Sequence, residues 1–280
     1  MLPFVLALLA SVSWGIGDFL GGLKSRSLPL LVVLACSQIS GLLAIALLVL
    51  VRGAPPPDAR FIPFALAGGL AVTVGLGAFY RALAVGTMSI VAPISAVGSA
   101  VPVFYGMLLG ERPGIGQLVG MLLATMGVVL AAREPPKPGD SGRSLAAGAL
   151  LAGVAALGFG CFLTAMHQAS ERDAYWATLV QRMTTLAILG ALVLAQRPSF
   201  KPAVSHRWGL AAIGLLDVSA AVLFSVASSQ GLVSLIAVMA SLYPITTVLL
   251  AHLILGERLT LSQRLGTGAA FAGVALISLT

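Results

Sequence analysis

Leu109-Gly110-Glu111-Arg112, followed by Gln117, Gly120, Ala124 and Gly127-Val128, recurs as Leu255-Gly256-Glu257-Arg258, Gln263, Gly266, Ala270 and Gly273-Val274. Every one of these positions is displaced by 146 residues. A second set is displaced by 143: Gly17 meets Gly160, Phe19-Leu20 meets Phe162-Leu163, and Gln38 meets Gln181. The change of three fits a difference in loop length. Coincidence is easy among Ala, Leu and Gly, but not for a charged Gly-Glu-Arg and a glutamine. The chain reads as a tandem repeat.

Composition fixes the solvent around that repeat. Of 280 residues, 59% are hydrophobic and 9% charged, and the mean hydropathy is +1.04. A water-soluble domain of this length needs a polar outer layer that this sequence does not supply. Most side chains must face lipid. A helix needs about 20 apolar residues to cross the hydrocarbon of a bilayer. Apolar runs at 3–23, 28–51, 61–82, 87–109, 114–132, 144–167, 174–195, 207–229, 232–255 and 260–279 give ten candidate spans. The expected fold is therefore an all-α polytopic membrane protein. Proline-rich punctuation separates the runs, because proline removes a donor and clashes with the preceding turn. The segment 52–60 and Arg197-Pro198-Ser199-Phe200-Lys201-Pro202 are such breaks. The longest polar stretch, 133–143, falls near the midpoint and reads as a linker between a first repeat, 1–132, and a second, 144–280. Five spans per repeat force the second copy to enter the membrane from the opposite side. Two inverted five-helix repeats follow, with a substrate site expected near the midplane where they meet.

The net charge of +7 is scattered over loops without aromatic interleaving. That points to lipid head groups and away from nucleic acid. Cys36 and Cys161 sit in apolar runs and read as small buried hydrophobes, not a disulfide. Membrane-embedded catalysis needs a nucleophile–base pair or a metal cluster. The sequence has no His-Glu-x-x-His, no Gly-x-Ser-x-Gly and no phosphate loop. His167 and His252 stand alone. Neither an enzyme, a metal site nor a cofactor is expected.

Phe79-Tyr80-Arg81-Ala82-Leu83-Ala84, Ser89-Ile90-Val91-Ala92-Pro93 and Leu109-Gly110-Glu111-Arg112 together resemble the EamA family of the drug/metabolite transporter superfamily. Trp14-Gly15 in the first span and Pro244 with Gly256-Glu257-Arg258 in the second half are similar to it as well. The likeness covers nearly the whole chain as two copies. One departure stands out: Pro244 lies thirteen residues before Glu257, whereas Gly98 holds that place before Glu111 and Pro102 follows one turn later. The resemblance implies a gradient-driven carrier of small metabolites in the cell (inner) membrane, with cytoplasmic termini. Loop Lys and Arg residues, counted by the positive-inside rule, favour the opposite orientation.

Candidate site residues follow from polarity inside apolar spans. Asp217 sits near the middle of the eighth span, where a carboxylate costs about 2.5–3.5 kcal/mol. It shares a helix face with Phe224, Ser225 and Ser228. That stripe is either a cavity wall, with Asp217 titrating or meeting a substrate ammonium, or a buried structural contact. Ser11, Trp14 and Asp18 share a face of the first span. Trp14 suits a cavity or packing, and Asp18 a proton or cation site or an interfacial pair with Lys24. Gln38 and Gln181 suit interhelical bonds or substrate contact. Arg182 requires an acid or a snorkelling path, and Tyr80 offers a hydroxyl to substrate. Glu111 and Glu257 each precede a new helix and are expected to cap the hairpins. Gly116, Gly120, Ala124 and Gly127, with Ser262, Gly266, Ala270 and Gly273, predict that spans five and ten pack closely as scaffold. The expected function is export of small metabolites, amino acids in particular, through a central cavity by alternating access. The expected partners are that small-molecule substrate, the bilayer and a coupling proton or cation; no oligomer is required. The second reading is a multidrug or cationic-drug exporter that relies on Trp14 and on Asp18 or Asp217.

Overall fold

The computed structural model describes residues 1–25, 27–85, 94–95, 97–132, 142–256 and 259–279, with backbone alone at 80, 83–85 and 142–146. Every regular element among them is helical. We number the α-helices α1 Leu2–Ser25, α2 Leu30–Arg52, α3 Ile62–Val85, α4 Ala100–Leu108, α5 Ile115–Ala131, α6 Gly142–Ser170, α7 Ala174–Gln196, α8 Arg207–Ser228, α9 Val233–Ala240, α10 Tyr243–Leu255 and α11 Leu261–Leu279. Seven helical segments are long and apolar enough to cross a membrane, and Val97–Leu108 and Ile115–Ala131 are shorter apolar helices. The outer surface confirms the solvent: Leu43, Leu47, Leu150, Leu157, Leu253 and Leu265 are each at least 60% exposed. In water such a surface would drive aggregation; in lipid it costs nothing. Cys161 belongs to this exposed set, against the expectation of a buried thiol.

One departure from the expected helices has a local cause, and part of the expected fourth span, 87–93 and 96, lies outside the described residues. The ninth expected span is broken: α9 ends at Ala240 and α10 begins at Tyr243. Pro244 in the first turn of α10 has no N–H to give the carbonyl of Ala240, so the ladder cannot run through. Of the expected linker, 133–141 lies outside the described residues, and α6 begins at Gly142.

The repeated Gly-Glu-Arg now has a backbone reason. Gly110 and Gly256 hold φ of 91° and 70°, a region that a Cβ disfavours, and each closes the end of a helix. The repeated glutamines have one as well. Gly114 donates its N–H to Gln117 Oε1 at 3.0 Å, and Thr260 does the same to Gln263 at 2.9 Å. These are the reciprocal halves of capping boxes at the starts of α5 and α11.

Packing divides the helices into two groups. α1, α2, α8 and α9–α10 lie mainly against one another, as do α3, α4, α6 and α7. The pairings α2–α7 and α4–α9 join the groups, and α5 packs on α11. Exchanging the first half of the chain for the second maps the pattern onto itself: α1–α8 becomes α6–α3, and α2–α8 becomes α7–α3. Two of the pairings that map onto themselves, α2–α7 and α5–α11, run antiparallel. Gly120 packs on Gly273 and Ile277, while Gly127 packs on Gly266 and Ala270. Along the other pair, Arg52 meets Asp173 and Gln38 meets Arg182.

The α5–α11 contact leaves no room for side chains. A Cβ on Gly127 or Gly273 would strike the backbone of the facing helix, whereas one on Gly268 would meet nothing. Gly127→Leu is therefore expected to lower the thermal unfolding temperature in detergent, at a cost of about 1–3 kcal/mol or more. Gly268→Leu should change stability by less than about 0.5 kcal/mol. Equal melting of the two variants would refute the close-contact role.

Candidate functional site: a charged cavity between the two helix groups

A cavity of about 120 Å³ lies between the groups. α1, α2 and α8 contribute Trp14, Asp18, Gln38 and Asp217. The α9–α10 break contributes Ala240, Ser241 and Tyr243. The facing wall carries Val72, Leu76, Ser95, Ser99, Phe159, Phe162, Leu163, Gln181 and Arg182. No residue of α5 or α11 lines it, which fits the scaffold expectation for those helices.

The cavity is organised around one ion pair. Arg182 Nη1 donates to Asp217 Oδ2 at 2.5 Å, with the arginine side chain 4% exposed and the aspartate 29%. The same nitrogen donates to Gln38 Oε1 at 2.5 Å. Gln38 Nε2 donates to Asp217 Oδ2 at 3.1 Å, and Trp14 Nε1 donates to Asp217 Oδ1 at 3.0 Å. Residues from α1, α2, α7 and α8 thus converge on one carboxylate. The driving force is elementary: a lone charge in a low-dielectric interior costs several kcal/mol, and a partner with further hydrogen bonds offsets it. Trp14 makes aromatic contacts to Phe162 and Phe224, with ring centroids 6.3 and 6.1 Å away.

The structure brings together Trp14, Asp18, Gln38, Gln181 and Asp217 from the sequence candidates. It places Ser11, Phe224, Ser225 and Ser228 away from the lining: all four are buried between helices. Phe224 supports Trp14, and Ser228 donates to the carbonyl of Ser225 at 3.1 Å. The helical stripe beyond Asp217 is core: Phe224 packs on Trp14 of α1, and the carbonyl of Ser228 meets His167 of α6. The side chain of Tyr80 and the whole of Glu257 lie outside the described residues. Arg182, Ser95, Ser99, Phe159 and Tyr243 join the cavity without having been singled out as site residues. A charge amid the apolar α7 was the available signal for Arg182; the others carry none by composition.

Glu111 corrects the expectation that it caps its own hairpin. It instead accepts from the N–H groups of Val233 at 2.5 Å and Ser234 at 3.1 Å, at the start of α9 in the other half of the chain. Gln117 already serves α5, so the carboxylate is released to a helix whose first amides have no other partner. This contact links the two helix groups. Three more do so at the same end of the bundle. Arg52 pairs with Asp173 at 3.1 Å and lies 4.0 Å from the Tyr175 ring centroid. Trp176 Nε1 donates to the carbonyl of Ala54 at 3.3 Å. His167 Nδ1 lies 3.0 Å from the carbonyl of Ser228.

A charged, partly polar cavity at the heart of a lipid-facing helical bundle, beside an interrupted helix, defines a membrane transporter. The chain belongs to the EamA-like transporter family, which it matches twice, over residues 1–133 and 146–279. An uncharacterized protein of Methanocaldococcus jannaschii is 28% identical over 127 residues, 45% of this chain and 93% of that protein. That relative is about the length of a single copy of the repeat. The fold is shared with a protein of known crystal structure at a TM-score of 0.80, with 16% identity, covering 99% of this chain and 96% of the other.

Removing one member of the central pair strands the other. Asp217→Leu alone is expected to cost about 3–5 kcal/mol. Adding Arg182→Met should recover most of that loss, since a hydrophobic pair of similar volume is tolerated. Thermal unfolding of the single and double variants measures the coupling, and simple additivity would contradict the pairing.

Proposed function

We propose that the protein is a secondary active transporter that exports small metabolites, amino acids in particular, through the central cavity by alternating access. The observation that carries this reading is the pairing of opposite charges, Arg182 with Asp217, across a cavity that also holds Asp18, two glutamines and Ser95, Ser99 and Ser241. A zwitterion needs acceptors and donors together, and this lining offers both without a large excess of either sign.

The architecture that goes with it is a pair of inverted five-span repeats, residues 1–132 and 144–280, in the inner membrane. In this count α4 and its preceding turn form the fourth span, and α9–α10 the ninth. Two features support the inversion. Contacts keep their pattern when the halves are exchanged, and equivalent helices run antiparallel. A two-fold axis perpendicular to those helices lies in the membrane plane. Alternating access then amounts to rocking of α1, α2, α8 and α9–α10 against α3, α4, α6 and α7. The end at which Glu111, Arg52, Trp176 and His167 tie the groups together is the closed one.

A multidrug exporter is the second reading. It is favoured by the excess of carboxylates, Asp18 and Asp217 against Arg182, and by the indole of Trp14 in the wall. Proteoliposome uptake separates the two, assayed across the proteinogenic amino acids and a set of organic cations, with and without a proton gradient. The proposal expects amino-acid flux that the gradient accelerates. It expects Asp18→Asn to abolish gradient-driven accumulation while sparing exchange of substrate across the membrane. Flux confined to organic cations would select the second reading, and gradient-driven accumulation by Asp18→Asn would remove Asp18 from coupling.

A further inference from the structure

We propose that the substrate inserts between Arg182 and Asp217, its carboxylate taking the guanidinium and its ammonium taking the aspartate. This deepens the carrier reading above and rests on it. Three observations converge on the exchange.

The first is where the pair sits. Arg182 belongs to α7 and Asp217 to α8, so the bond crosses from one helix group to the other. Both side chains line the cavity, and the aspartate is 29% exposed. An ion pair kept only for stability would be better enclosed by apolar side chains. This one opens onto the space that a solute would occupy.

The second is the unspent hydrogen-bonding capacity around it. Arg182 Nε, Gln181 Oε1 and Ser95 Oγ are buried polar atoms with no hydrogen-bond partner among the described residues. The three residues are 4%, 2% and 4% exposed, and all three line the same cavity. Gln181 has already committed its amide nitrogen to Thr185 Oγ1 at 2.9 Å, which leaves an acceptor. Arg182 has committed Nη1 and leaves the Nε donor. Ser95 can donate or accept. A buried unsatisfied polar group is costly, and native structures keep few of them. Here three share one wall. The two donors suit a carboxylate, and the Gln181 acceptor suits an ammonium attached to the next carbon.

The third is what holds Asp217 when Arg182 turns away. Trp14 Nε1 remains on Oδ1 and Gln38 Nε2 on Oδ2. Gln38 Oε1, freed from Arg182, becomes a second acceptor for an incoming ammonium. Insertion therefore leaves no charge without a partner. One buried ion pair is replaced by two, and the solute supplies one member of each. A molecule with only an ammonium would strand Arg182, and one with only a carboxylate would strand Asp217. The cavity should reject both through the cost of an uncompensated buried charge. The remaining lining, Val72, Leu76, Phe159, Phe162 and Leu163, leaves an apolar side chain in apolar surroundings.

Three probes that differ only in their poles test this: L-leucine, 3-methylbutylamine and 4-methylpentanoate. Binding is read by thermal shift and calorimetry on the full chain in detergent, and flux in proteoliposomes, with tetraphenylphosphonium as a fourth probe. The expected result is that leucine binds at least tenfold more tightly than either single-pole analogue. The neutral double variant Arg182→Gln with Asp217→Asn, verified as folded by size exclusion, should bind the three within threefold of one another. A pair that is merely structural would leave the wild-type preference unchanged in the folded double variant, and that outcome overturns the proposal. Equal binding of leucine and the amine by the wild type overturns it too. Transport of tetraphenylphosphonium without leucine refutes insertion but keeps the carrier. Failure to move any of the four overturns both.

Discussion

A charge in the middle of a bilayer must have a partner, and the placement of the helices follows from how this chain meets that demand. Arg182 is 4% exposed, so its charge needs a partner, and Asp217 supplies it. That requires α7 and α8, on different sides of the cavity, to approach at mid-depth. Gln38 and Trp14 complete the carboxylate's shell and bring in α2 and α1. Four spans are thereby registered against one another by a single polar centre in a setting where the hydrophobic effect discriminates poorly between apolar faces. Close packing secures the rest. Glycines in α5 and α11 let two backbones touch, and those helices form a frame outside the lining.

The same demand explains why the interrupted ninth span is tolerable. Breaking a helix in lipid exposes carbonyls and amides that hydrocarbon cannot satisfy. Here the break lies against the cavity, with Ser241 donating back to the carbonyl of Ala237 at 2.7 Å. At its far end, α9 is terminated by the carboxylate of Glu111. One short, wholly buried helix therefore connects the inter-group contact at the bundle's end with the cavity at its centre.

Much of this fold was legible in the sequence. Apolar runs separated by prolines located α1–α3, α5–α8 and α11 to within a few residues, and the recurrent Gly-Glu-Arg announced the repeat. Gly110 and Gly256 were conspicuous by their recurrence, and their positive φ supplies the reason for glycine there. Less was legible at the cavity. Asp217, Trp14, Gln38 and Gln181 stood out as polar or aromatic groups in apolar spans. Helical spacing then extended the site to Phe224, Ser225 and Ser228, because periodicity identifies a face but not what that face meets. Ser95 and Phe159 look like ordinary membrane residues until the fold sets them in the lining of the cavity that Arg182 also lines. The destination of Glu111 was hidden for a related reason. Its partners are more than 120 residues away, and the local solution, capping its own hairpin, was already taken by Gln117.

The central claim is that two groups of helices move against each other around this cavity, and locking their tied end tests it most directly. Arg52 and Asp173 are each replaced by cysteine in a background with Cys36 and Cys161 changed to serine, and are bridged by a short cleavable cross-linker. The account predicts that the bridged protein retains substrate binding while flux in proteoliposomes falls at least tenfold, and that cleavage restores it. Undiminished flux through fully bridged protein would contradict it.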